Sequence, residues 1–159
     1  MEKISYFITW TTYGTWLPGD RRGWRKKEKG ILPSKPLLER WAREKMKGAA
    51  VLLNTNDRET VEDACRQHCE RRGWHLFAVS ARSNHVHVVI AADAPPDKVR
   101  DQLKANCTRC LRTQAEPLNA ERTWTRGGDT EILDTDDEVE KCVWYVVEAQ
   151  DKKGQTACT

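Results

Sequence analysis

Two histidines one residue apart, in the run Ser83-Asn84-His85-Val86-His87-Val88-Val89-Ile90, constrain this chain more than any other feature. β-Branched residues dominate the run, so it is expected as a strand with successive side chains on opposite faces. His85 and His87 then project side by side from one face, and Val86 and Val88 from the other. A strand holds two such imidazoles with little freedom left to lose, so they could share a divalent cation. The plainer alternative makes them polar positions on the solvated face of an antiparallel strand. His-x-His alone does not decide between the two.

The segments around this strand predict the fold. Ile4 to Thr12 is aromatic and β-branched and reads as a first strand, ended by the Gly- and Pro-containing loop Tyr13 to Asp20. From Arg21 to about Asn56 the chain is expected to be irregular, apart from a short helix over Pro36 to Lys47. This makes residues 13–56 an insertion, and its length and tryptophans point to function. Asp57 or Thr60 can cap a helix that Gly73 ends near Arg72. Trp74 to Ala81 is the second strand, and Arg82-Ser83-Asn84 turns it into the histidine strand as a hairpin. An amphipathic helix follows over Asp97 to Gln114, then a short strand near Thr130 to Leu133. A final helix, capped at Thr135 with Glu138, is expected to reach about Asp151. Without the insertion the order is that of a split β-α-β-β-α-β core, which predicts an α+β, ferredoxin-like antiparallel sheet with helices packed on it. RNA-recognition (RRM-like) modules share this layout, so fold alone decides nothing about function.

Composition narrows the classes. At 159 residues, 38% hydrophobic and 32% charged, the chain is polar but rich enough for a real core. One domain over 1–151 is expected, with 152–159 a flexible tail. No apolar run approaches a membrane span and Met1-Glu2-Lys3-Ile4 lacks signal-peptide character, which predicts a cytoplasmic protein without a membrane partner. The net charge of +3 is unevenly spread. Arg21, Arg22 and Arg25 lie beside Trp16 and Trp24, a mixture suited to phosphate contacts and base stacking, as well as to a solvated loop. The six cysteines are expected as reduced thiols, with the pairs Cys65/Cys69 and Cys107/Cys110 in helical patterns; a structural zinc site on those pairs with His68 is the lesser alternative.

Near the end stands Trp144-Tyr145-Val146-Val147-Glu148-Ala149-Gln150. On an α-helix Glu148, three positions on, lies ~60° around the axis from Tyr145, whereas Gln150 lies ~140° away unless the helix end unwinds. A helix-packing tyrosine is the plain reading of this stretch alone.

Taken together with Tyr13-Gly14-Thr15-Trp16-Leu17-Pro18-Gly19-Asp20, Asn84-His85-Val86-His87 and Trp124-Thr125-Arg126-Gly127-Gly128, this stretch resembles the single-tyrosine HUH nucleases. The likeness is to the IS200/IS605-like, REP-associated transposases, in order and spacing over nearly the whole chain. The resemblance implies an enzyme that cuts and rejoins single-stranded or hairpin DNA, with Tyr145 as nucleophile through a 5′-phosphotyrosine. It also implies a divalent metal, Mg2+ or Mn2+, on His85 and His87, and a third ligand from the tyrosine helix. The family commonly places a Gln four residues after the tyrosine, where this chain has Ala149, so Glu148 and Gln150 compete for that role. Trp16, Arg21, Arg22, Trp24, Arg25 and Arg126 are the candidate nucleic-acid contacts. Family members act as monomers or homodimers, and both remain open here. The alternatives are a non-catalytic nucleic-acid-binding domain (RRM-like or a decayed transposase), a cysteine-based metal protein, and a rolling-circle initiator or relaxase.

Overall fold

The structure is a computed structural model and describes residues 2–26 and 28–149. Its elements are β1 (Ile4–Thr11), β2 (Trp24–Lys26), β3 (Gly30–Leu32), α1 (Pro36–Glu44), α2 (Thr55–Arg72), β4 (His75–Ala81), β5 (His85–Ala92), α3 (Pro96–Thr113), β6 (Asp129–Leu133) and α4 (Asp136–Trp144). A π-helical turn over Tyr145–Ala149 continues α4. The main sheet has the order β4-β5-β1-β6, with every neighbour antiparallel. Without the insertion, that order and the sequence β1-α2-β4-β5-α3-β6 make the ferredoxin-like, α+β arrangement.

Period-two alternation in the two central strands divides the molecule into two layers. Tyr6, Ile8 and Trp10 of β1 face the same way as Val86, Val88 and Ile90 of β5, and α2 and α3 cover them with Val61, Cys65, Leu103 and Leu111. The opposite face carries Phe7, Val89 and Leu133 beneath Val139, Val143 and Val146 of the last helix. Leu103 is fully buried between α3 and the sheet. Leu103→Ala removes that apolar volume and leaves a cavity, so the expected cost is about 2–5 kcal/mol, read as a lower urea midpoint at unchanged m-value.

The helix ends follow local chemistry. Asn54, rather than Asp57 or Thr60, is the N-cap of α2: its side chain accepts from Asp57 N, while the Asp57 carboxylate accepts from Asn54 N at 3.0 Å. Asp57 therefore sits at the third helical position and closes the capping box. Gly73 ends the helix with φ +70°, a left-handed conformation that glycine adopts without a Cβ penalty. Thr135 and Glu138 form the expected box at the start of α4.

Besides the N-cap of α2, two further expectations need adjustment. Within the stretch expected to be irregular, β2 and β3 pair as an antiparallel hairpin, and α1 stops at Glu44. Three-residue strands are too short for alternation to show in sequence. The last helix keeps α geometry only to Trp144 and continues as a π turn over Tyr145–Ala149, while its expected end near Asp151 lies outside the described residues. The tail 152–159 lies outside the described residues. Among the described residues no helix is long and apolar enough to cross a membrane.

Candidate active site

β5 puts both histidines on the face opposite α2 and α3, as period two requires. The face is not solvated: His85 is 4% exposed and His87 1%. Their ring centroids lie 4.7 Å apart. β1 runs alongside in a register that pairs Thr11 with His85 and Thr9 with His87, so these side chains share one face. Thr9 Oγ1 is 2.7 Å from His87 Nδ1, and Asn84 Oδ1 is 2.8 Å from His85 Nδ1. Burial, aided by the nearby charge of Arg82, pushes His85 down to about 4. Burial, then His85 and Arg82, pushes His87 down to about 3. Both rings are therefore neutral at pH 7, the form in which imidazole binds a metal.

His87 Nε2 is buried and has no hydrogen-bond partner. An orphaned polar atom of this kind is costly in a protein interior unless something else engages it. The donor set, two neutral imidazoles side by side, suits Mg2+ or Mn2+ less strongly than it suits softer divalent ions, but it accepts all of them. The residues present thus fit a divalent cation. Among the described residues, no three or more His, Cys, Asp and Glu side chains gather as a ready-made metal site.

Tyr145 starts the π turn and is half-buried against this pair. Its ring centroid lies 5.8 Å from that of His87 and 6.3 Å from that of Phe7, edge-on to both. The two other tyrosines are committed elsewhere. Tyr6 Oη donates to Ala94 O at 2.9 Å on the opposite side of the sheet, and Tyr13 Oη accepts from Lys47 N at 2.8 Å. Only Tyr145 stands beside the histidines. The π turn also changes the spacing argument for a third ligand, because residue i+5 rather than i+4 closes such a turn. Glu148 is exposed. Gln150, which α geometry put far from the tyrosine, lies outside the described residues.

The insertion folds against this edge of the sheet. Arg25 of β2 approaches Asp129 at 3.5 Å, and Asp129 pairs in register with Thr9, so the β2–β3 hairpin reaches the histidine face. Arg22 is engaged within its own loop: it lies 3.9 Å over the Trp16 ring, donates to Thr15 O at 2.7 Å and bridges Asp20 at 2.7 Å. Hydrogen bonds from Arg22 hold the Asp20 carboxyl below its usual range. Trp24 Nε1 donates to Pro33 O, and Trp16 Nε1 to Gly23 O. Arg21 is exposed on the same loop.

Arg126 and Trp16 line a second feature, a groove of about 610 Å³ between the Tyr13–Pro18 loop, α3 and residues 122–126. Tyr13, Trp16 and Trp124 supply aromatic walls, and Arg112, Arg122 and Arg126 supply positive charge. Residues 124–125 straddle the sheet edge between groove and histidines. Trp124 packs edge-on against Trp10, centroids 6.0 Å apart, and donates to Thr108 Oγ1. Thr125 Oγ1 accepts from Thr11 Oγ1 at 3.0 Å, on the histidine side. Lys104 donates to Thr125 O and Gly127 O, both at 2.8 Å. Gly128 seals the join, since a Cβ there would stand 2.6 Å from Thr9 O and its φ is +143°. The Trp124–Gly128 motif is thus a clamp on β1, whatever else it does.

Cys65, Cys69, Cys107 and Cys110 belong to the core between α2 and α3, and Cys142 packs on the opposite face of the sheet. Cys65 Sγ and Cys107 Sγ are 3.6 Å apart, and both residues are fully buried free thiols. The contact with Cys107, reinforced by burial, pushes the Cys65 thiol well up, and burial takes Cys69 to about 12. Such thiols stay protonated and are poor ligands. Sequence reasoning missed Thr9 and Lys104 as neighbours of the site, and quoted Asn84 and Thr125 within motifs without giving them a role. A register-paired threonine 78 positions from its histidine leaves no local signal.

Comparison with known proteins identifies a family and a similar fold. The sequence matches the family described as "Transposase IS200 like" over residues 45–149, more than half of the chain. A REP-associated tyrosine transposase, solved bound to a REP hairpin, has a similar fold: TM-score 0.55 and 11% identity, covering 97% of this chain and 70% of that one. A candidate transposase from Deinococcus radiodurans is also similar, at TM-score 0.49 and 14% identity over 94% of this chain and 92% of the other. No curated protein matches the sequence. By its match over residues 45–149, and with a ferredoxin-like sheet, this chain belongs to the IS200-like transposase family.

Proposed function

We propose that this transposase cuts and rejoins single-stranded DNA at the His85–His87–Tyr145 cluster, with Tyr145 as the nucleophile. The observation that carries the reading is the buried, unpartnered Nε2 of His87 with the Tyr145 ring against the same imidazole. A divalent cation, Mg2+ or Mn2+, when bound at His85 and His87, would neutralise charge at the scissile phosphate. Glu148 or Gln150 would complete its ligands. Tyr145 Oη gives up its proton and attacks phosphorus; a P–O bond to Tyr145 forms as the bond to the 3′ oxygen breaks, and that oxygen takes a proton. The product is a 5′-phosphotyrosine and a free 3′-hydroxyl. The ester conserves the phosphodiester's energy, so a second 3′-hydroxyl can attack it and rejoin DNA without a nucleotide cofactor. Phe7 and His87 hold the Tyr145 ring, which limits the orientations lost on reaction.

Substrate is gripped by the aromatic, arginine-lined groove and the basic hairpin, with Arg21, Arg25 and Arg126 on backbone phosphates and Trp16 on an unstacked base. The relative solved with a REP hairpin makes hairpin DNA the first substrate to try. Hairpins with single-stranded flanks, taken from sequence beside the chain's own gene, should be cleaved in Mn2+ or Mg2+ to leave a 3′-hydroxyl. In the same assay Arg122→Ala/Arg126→Ala should weaken binding and flatten the salt dependence, by about 0.7 in slope for each phosphate no longer neutralised. Preference for plain duplex, with no cleavage of any hairpin, would contradict the reading.

A further inference from the structure

We propose that Thr9 and Asn84 are positioning residues that fix the ring tautomers of His87 and His85, leaving Nε2 of each ring as the nitrogen that takes the cation. The inference rests on the reading of the two histidines as metal ligands.

The argument begins with which atoms can donate. A neutral imidazole carries one N–H and one lone pair, so engaging one nitrogen determines what the other offers. Asn84 Oδ1 only accepts, and it is 2.8 Å from His85 Nδ1. His85 Nδ1 therefore carries the hydrogen, and its Nε2 carries the lone pair. At His87 the partner is a hydroxyl, Thr9 Oγ1 at 2.7 Å, which can donate or accept. The far nitrogen breaks the tie: His87 Nε2 is buried without a partner, so a hydrogen there would have nothing to meet. A lone pair there is what a cation engages. Nδ1–H donating to Thr9 Oγ1 is thus the arrangement consistent with the site. An imidazole whose second nitrogen is held by an oxygen is also the usual support for a metal-binding histidine.

The fold explains how two distant side chains take parallel roles. Thr9 is the register partner of His87 across the β1–β5 ladder, and Asn84 immediately precedes His85 at the hairpin turn. Gly128 lets the clamp segment lie against Thr9 O, which keeps β1 in place beneath the ring. The two tautomers are therefore set from two different elements, one by a cross-strand neighbour and one by a turn.

The test has two readouts. In metal-free protein, long-range 15N–1H spectra of the imidazoles should show Nδ1–H on both His85 and His87. Mn2+ affinity, by calorimetry or electron paramagnetic resonance, should fall about 10–100-fold in Thr9→Val and similarly in Asn84→Ala. Thr9→Val keeps the β-branched shape and loses only the hydroxyl, while Thr9→Ser should restore both the tautomer and the affinity. Nε2–H on wild-type His87, or Mn2+ affinity indifferent to Thr9→Val, would overturn the inference. Should the valine variant fail to fold, the wild-type spectrum alone decides. Nδ1–H on both rings with no Mn2+ uptake by the wild type would instead overturn the metal reading beneath it.

Discussion

The double substitution His85→Ala/His87→Ala is expected to lower strand cleavage by about 10³-fold or more while the chain still folds. A metal's share of transition-state charge stabilisation is several kcal/mol, and each 1.36 kcal/mol is tenfold in rate. Stability should respond much less. The two rings fill volume on the tyrosine face, so their loss leaves a cavity, but it also removes the orphaned His87 Nε2. The two effects oppose each other, and the melting temperature should move by only a few degrees. Mn2+ binding should vanish in the same variant. Cleavage at the wild-type rate by the double variant in chelator would remove the histidines from the mechanism.

Much of this site is visible in the sequence because period two is a strict rule. Val86, Val88 and Ile90 must point away from His85 and His87 in any strand, and they do, into the α2–α3 core. The ferredoxin-like order follows equally from strand and helix lengths. Burial of the histidines does not follow. It depends on Phe7 and the last helix closing over that face, and nothing local to Asn84–Val88 encodes a cover supplied from residue 139 onward. The π turn at Tyr145 is likewise unmarked in the sequence, since Tyr145 through Ala149 has no proline or glycine.

The insertion shows a different shortfall. A cluster of arginines beside tryptophans reads as a nucleic-acid surface, yet Arg22 stacks on Trp16 and bridges Asp20, so part of that charge builds the loop itself. Composition counts the charges and cannot say which ones hold the fold together. Arg25 reaches the sheet edge through its ion pair with Asp129 of β6, and Arg126 lines the groove because the Trp124–Gly128 segment is clamped on β1.

Tyr145→Phe carries the other large effect. The ring stays to pack on Phe7 and His87, so stability and DNA binding should hardly change, while the attacking oxygen is gone and covalent chemistry should stop altogether. Tyr6 and Tyr13 cannot substitute, with one hydroxyl bonded to Ala94 O and the other to Lys47 N. The most direct measurement is peptide mapping, by mass spectrometry, of the denaturation-resistant adduct formed between wild-type protein and its single-stranded flanking DNA in Mn2+. A 5′-phosphate on the peptide containing Tyr145, and no adduct in Tyr145→Phe, is the predicted result. An adduct on Tyr6, Tyr13 or any non-tyrosine residue, or one that persists in the phenylalanine variant, would contradict it.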